Sequence, residues 1–140
     1  MCPRIGRAAF EKRLLLSEKE CSRLTVLVVE DDFLVRLNMA DFLRGANCEV
    51  VEAGSGEAAV AVLQQRDGID AVFTDIQLGG ELNGWDVAER SRATHPEIPV
   101  VYTSGALIVP GRPVAGSIFF EKPYDPVAVL AAFQTLRDAE

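Results

Sequence analysis

Thr25-Val26-Leu27-Val28-Val29-Glu30-Asp31-Asp32 reads as a strand that stops abruptly on three acids. Its five apolar-rich residues pass without polar alternation, as expected of a strand covered on both faces. Two-sided cover is the signature of a parallel sheet with helices above and below, so the segments that follow should alternate helix and strand. They do. Phe33 to Arg44 carries Leu34, Leu37, Phe42 and Leu43 near helical spacing, with Asp32 as cap and Gly45 as stop. Cys48 to Glu52 is a second strand, and Ser55 caps a helix from Gly56 to about Arg66. Ala71-Val72-Phe73-Thr74 is a third strand ending at Asp75.

Beyond Asp75, the Gly-rich stretch Gly79 to Gly84 leads into a helix from about Trp85 to Ala93. Pro99 to Thr103 and Ser117 to Phe120 are the fourth and fifth strands. Asp125 caps the last helix, with Pro126 at its first position and Val129, Leu130 and Phe133 facing inward. Between the last two strands, Gly105 to Gly116 holds two prolines and three glycines, which predicts an irregular segment or one or two helical turns. Alternating strands and helices imply a doubly wound α/β domain. Right-handed crossovers place all five strand C-termini along one edge, where such sheets bind ligands.

The chain has 140 residues, 49% apolar and 25% charged, which suits one domain with a real core. We expect residues 24–140 to form that domain and residues 1–23 to be an extension, partly disordered or helical. Net charge is −7, unevenly spread: residues 1–24 hold six basic and three acidic side chains, leaving a net of −10 on the rest. An acidic body without a basic stripe repels phosphate backbones, so direct nucleic-acid binding is not expected. No apolar run is long enough for a membrane span and no signal-peptide core follows the first residues, so the expected location is cytoplasmic. Cys2, Cys21 and Cys48 show no metal spacing and read as reduced thiols, and the lone His95 reads as structural.

Chemistry concentrates where strands stop. Glu30 and Asp31 end the first, Asp75 the third, Ser104 the fourth and Lys122 the fifth. Carboxylates gathered at one edge repel one another unless a hard divalent cation with oxygen ligands joins them. Magnesium in such a pocket offsets charge on both a carboxylate nucleophile and an incoming phosphoryl group. Lys122 is a compact cation for Asp75 or a phosphoryl oxygen, and the Ser104 hydroxyl is a donor beside Gly105. Singly, each residue has a plain structural reading as cap, turn or solvated lysine. Together, at the ends of four strands, they point to an aspartyl phosphate.

Four motifs in order resemble the receiver domain of two-component response regulators. They are Val26 to Asp32, Asp70-Ala71-Val72-Phe73-Thr74-Asp75-Ile76-Gln77-Leu78, Pro99 to Gly105, and Phe119-Phe120-Glu121-Lys122-Pro123-Tyr124. The likeness covers roughly residues 24–138. It implies a flavodoxin-like, five-stranded, three-layer sandwich and a stand-alone phosphorylation switch rather than a turnover enzyme. Asp75 would be the phosphoacceptor. A histidine kinase or histidine phosphotransfer protein would supply the phosphoryl group, and a downstream protein not identified by sequence would read it; a homodimer stays open. The resemblance also implies Mg2+ held by Asp31, Asp75 and the Gln77 backbone carbonyl, with Glu30 acting through water. Ser104 would move inward on phosphorylation and Phe119 would change rotamer.

Three departures accompany the likeness. Leu78 to Gly84 lacks the family's usual proline and is one residue longer. The segment from Ser104 to Phe119 is about four residues shorter than in chemotaxis-type receivers, so the helix usually found there should be shortened or irregular. Phe119 lacks a hydroxyl often present at its position. Gln77 and Ala106 are candidates for tuning phosphoryl lifetime, Ala106 by leaving water access and Gln77 by orienting a water. Three rivals are weaker. Gly54-Ser55-Gly56-Glu57-Ala58-Ala59 resembles a dinucleotide fingerprint but follows the second strand rather than the first. An aspartyl phosphatase would want an acid where Gln77 stands. Signalling without phosphorylation would leave a complete set of reactive positions unused.

Overall fold

The computed structural model describes residues 24–105 and 110–138; residues 1–23, with Cys2 and Cys21, and Ala106 lie outside these. Its elements in chain order are β1 (Thr25–Val29), α1 (Phe33–Gly45), β2 (Glu49–Ala53), α2 (Gly56–Gln65), β3 (Ala71–Asp75), α3 (Gly84–Thr94), β4 (Val100–Ser104), β5 (Ile118–Glu121) and α4 (Pro126–Asp138). All neighbouring strands pair in parallel, in the order β2-β1-β3-β4-β5. The chain winds outward from β1 to β2, then returns across β1 to β3. The β1/β3 boundary is therefore the switch point, where a crevice opens beyond the strand ends.

The unbroken apolar pattern has the cause expected of it. All five residues are buried in each of the inner strands β1, β3 and β4, whereas the edge strands β2 and β5 are only partly covered. Alternate side chains feed two cores. On one face Leu27, Val29, Val72 and Tyr102 pack with Ala59 of α2 and Trp85 and Ala88 of α3. On the other Val26, Val28, Phe73 and Val101 pack with Met39 and Leu43 of α1 and Val129 and Phe133 of α4. Helix, sheet and helix make the three layers.

Caps set the helix starts. Asp32 accepts from Val35 N at 3.1 Å, Ser55 Oγ from Ala58 N at 3.0 Å, and Asp125 from Val127 N at 2.9 Å. Asn83 and Asp86 add a reciprocal capping box on α3, at 2.9 and 3.1 Å. Strand four begins at Val100 rather than Pro99, because proline has no N–H for the ladder; the Pro99 carbonyl still accepts from Val72 N at 2.9 Å.

Among the described residues between β4 and β5 no helix forms, in keeping with the proline and glycine content. Residues 110–117 instead lie as a strap against α3. Trp85 Nε1 donates to the Pro110 carbonyl at 2.9 Å, and Gly111 sits so close to the indole that a Cβ there would overlap it. Arg112 forks onto Glu89 at 3.0 and 3.1 Å, and Val114 N donates to the Tyr102 hydroxyl at 3.0 Å.

Candidate functional site

At the switch point the ends of β1 and β3 bring three carboxylates together: oxygens of Glu30, Asp31 and Asp75 lie within 4.8 Å of one another. Glu30 and Asp75 are buried, at 3% and 6% exposure, while Asp31 faces solvent. From β5, two strands away from β3, Lys122 crosses β4 to reach them. Its Nζ donates to Glu30 Oε1 at 2.7 Å and to Asp75 Oδ2 at 3.0 Å. The remaining carboxylate oxygens are also tied. Glu30 Oε2 accepts from Asp32 N at 3.2 Å, and Asp75 Oδ1 accepts from Gln77 N at 3.3 Å.

One ammonium thus faces three carboxylates. Burial pushes the Glu30 carboxyl above its ordinary range, with the Lys122 hydrogen bond pulling the other way and losing. Burial alone would lower the Lys122 ammonium, but its hydrogen bonds to Glu30 and Asp75 prevail and hold it above its ordinary value. The Lys122 shift is that of an ammonium held between two carboxylates, and the Glu30 shift that of a carboxyl withdrawn from water. The donors are all carboxylate oxygens, which fits a hard divalent cation.

Ser104 is fully buried at the end of β4, and its carbonyl accepts from Lys122 N at 2.9 Å. Phe119 stands opposite Tyr102 in the β4–β5 register, 45% exposed. Gln77 is exposed two residues beyond Asp75. The fold therefore gathers Glu30, Asp31, Asp75 and Lys122 directly, sets Ser104 on the adjacent strand end, and leaves Phe119 on the outer surface of β5.

The longer loop after Asp75 is fastened despite having no proline. Gly84 N donates to the Ile76 carbonyl at 2.8 Å, and a Cβ at Gly84 would collide with the Asp75 carbonyl oxygen. From α2, the Glu57 carboxylate accepts from Glu81 N at 3.0 Å and Leu82 N at 3.2 Å. Its own backbone N–H first, then those of Leu82 and Glu81, hold the Glu57 carboxyl below the ordinary carboxylate range. Glu57 was not among the residues expected at the site. Its only sequence signal is an acid in the first turn of a capped helix. Thr103, likewise unexpected, pairs with Asp75 in register, and its hydroxyl is buried without a hydrogen-bond partner among the described residues.

A doubly wound parallel sheet with an acidic cluster and a bridging lysine at its switch point defines a flavodoxin-like signalling domain. The family model for the response regulator receiver domain matches residues 26–134, and the chain belongs to that family. A receiver protein of Sinorhizobium medicae superposes with a TM-score of 0.75 at 31% identity, covering 84% of this chain and 96% of that one. The chemotaxis protein CheY4 of Vibrio cholerae shares the fold, with a TM-score of 0.71 at 22% identity over 81% of this chain and 98% of that one. Among curated proteins, the sensor kinase CckA of Brucella abortus is 32% identical over 99 residues, 70% of this chain but 10% of that protein. The chain spans half or less of the curated relatives it matches. Receiver domains are switches of two-component signalling, working with kinases or phosphotransfer proteins. Among the described residues no helix is long and apolar enough to cross a membrane.

Proposed function

We propose that this chain accepts a phosphoryl group on Asp75 from the histidine of a kinase or phosphotransfer protein and passes the signal on through altered protein contacts. What carries the reading is Lys122 Nζ bridging Glu30 and Asp75, at 2.7 and 3.0 Å, beside solvent-facing Asp31. A carboxylate oxygen of Asp75 forms the new O–P bond as the N–P bond of the phosphohistidine breaks, and the departing imidazole nitrogen keeps the electron pair. Lys122 then pairs with a phosphoryl oxygen, and the Ser104 hydroxyl donates to another. Asp31, Asp75 and the Gln77 carbonyl would hold Mg2+, with Glu30 acting through water; when bound, the ion offsets charge between carboxylate and phosphoryl group.

Ser104 moving inward makes room for Phe119 to leave its exposed position, which alters the surface of β4 and β5. By their chemistry, Gln77 and Ala106 tune how fast water removes the phosphoryl group. The donor meets the acceptor over α1, where Phe33 and Leu34 are 60% and 66% exposed beside an apolar groove lined by Met39, Pro123 and Tyr124. On this reading residues 24–140 are the receiver domain and 1–23 an extension. The domain works in the cytoplasm as a switch, without turnover chemistry and without binding nucleic acid itself.

The test is incubation with MgCl2 and acetyl phosphate. The intact mass should rise by one phosphoryl group in wild type and stay unchanged in Asp75→Asn or with EDTA. Equal labelling of wild type and Asp75→Asn would sink the assignment.

A further inference from the structure

Past the last residue of β1 the sheet ladder runs out, and the peptide joining Glu30 to Asp31 needs other partners. Glu30 N still donates to the Ala53 carbonyl of β2 at 3.1 Å. Its carbonyl accepts from a side chain, Arg36 Nη1 of α1, at 2.8 Å. The same guanidinium donates through Nε to Glu52 Oε1 of β2 at 3.2 Å, while Glu52 Oε2 takes Arg44 at 3.1 Å. Arg36 is 17% exposed and lies over the Phe33 ring at 5.5 Å. It also passes close by Gly54, where a Cβ would stand 3.1 Å from Nη1. The guanidinium is thus packed from three sides, with its fork spanning the Glu30 carbonyl just past β1 and the Glu52 carboxylate of β2.

We infer that Arg36 is a positioning residue for cation binding: by gripping the Glu30 carbonyl it fixes the Glu30–Asp31 peptide, and so the direction in which Asp31 presents its carboxylate. The inference rests on the Mg2+ reading proposed above. Without this bond, repulsion among Glu30, Asp31 and Asp75 favours an outward swing of the turn. Arginine suits the task because a planar fork reaches the carbonyl and the Glu52 anchor together, whereas the single ammonium of lysine does not.

Electrostatics supplies a decisive sign. As a mere charge near an acidic site, Arg36 repels a cation, so Arg36→Gln should tighten Mg2+ binding. As a positioning residue its loss should weaken binding. The experiment titrates MgCl2 into the full chain by calorimetry for wild type, Arg36→Gln and Arg36→Lys, with thermal melts in EDTA alongside. Outer-shell losses of this kind typically cost about 10–100-fold in metal affinity. Both variants should show a dissociation constant raised by roughly that factor, while acetyl phosphate labelling at saturating Mg2+ returns to the wild-type rate. Glu52→Gln, which keeps Arg36 but loosens its anchor, should fall between. Variants that melt lower yet bind Mg2+ as wild type does, or an Arg36→Gln that binds more tightly, would overturn the positioning role alone. Wild type that binds no Mg2+ would overturn the underlying reading.

Discussion

Thr103 and Arg36 show how much of this site rests on single polar groups. The Thr103 hydroxyl is buried beside Asp75 with no partner among the described residues. Leaving a buried polar group unpaired costs free energy, and replacing it by a methyl of similar shape removes that cost. Thr103→Val should therefore raise unfolding stability by about 1 kcal/mol, measured by urea denaturation of the metal-free protein. A loss of stability instead would mean that the hydroxyl is satisfied, by water for instance. Neither residue stands out in the sequence. Thr103 looks like an ordinary β-branched strand residue, and Arg36 like a basic residue on the wet side of an amphipathic helix. Glu30, Asp31, Asp75 and Lys122 were legible because each ends a recognisable apolar run.

Between β4 and β5 the strap is held by hydrogen bonds and ring contacts rather than by a helix. Tyr102 is central: its ring meets Trp85 edge-on at 4.6 Å and its hydroxyl accepts from Val114 N. Tyr102→Phe removes that acceptor and should cost about 1 kcal/mol at neutral pH. Burial, only partly offset by the Val114 hydrogen bond, holds the Tyr102 hydroxyl above its ordinary 10.0. The folded chain then keeps a proton that the unfolded chain loses, so stability declines as pH rises past that ordinary value. Phenylalanine at this position should flatten the decline. Melts from pH 7 to 11 test it, and an equally steep fall in the variant would refute the assignment. An irregular segment was foreseeable from two prolines and three glycines in residues 105–116. Its fastening to Trp85 and Glu89 was not, because those contacts bridge about two dozen residues.

Across the molecule, aromatic residues are covered unequally. Phe133 of α4 is fully buried against Val26, Val28 and Phe73, whereas Phe119 of β5 is 45% exposed. Phe133→Ala should cost about 3–5 kcal/mol. Phe119→Ala should stay within about 0.5 kcal/mol, as for an exposed position, which is compatible with the rotamer change proposed for it above. Urea midpoints of the two variants decide this, and comparable losses would contradict it. The wound sheet also sets the site's place, since only at the β1/β3 boundary do neighbouring strands send their connections to opposite sides.

By itself the sequence determined the strands, the helices and three of the four helix caps described here, because these depend on side-chain periodicity and on hydrogen bonds between near neighbours. It also named the residues at the strand ends. Strand order, the edge positions of β2 and β5, and the meeting of Lys122 with acids 47 and 92 residues away were decided only by tertiary structure. Burial and charge then acted together. Covering both faces of β1, β3 and β4 brought Glu30 and Asp75 out of water side by side, and Lys122, the one lysine ammonium among the described residues, serves both.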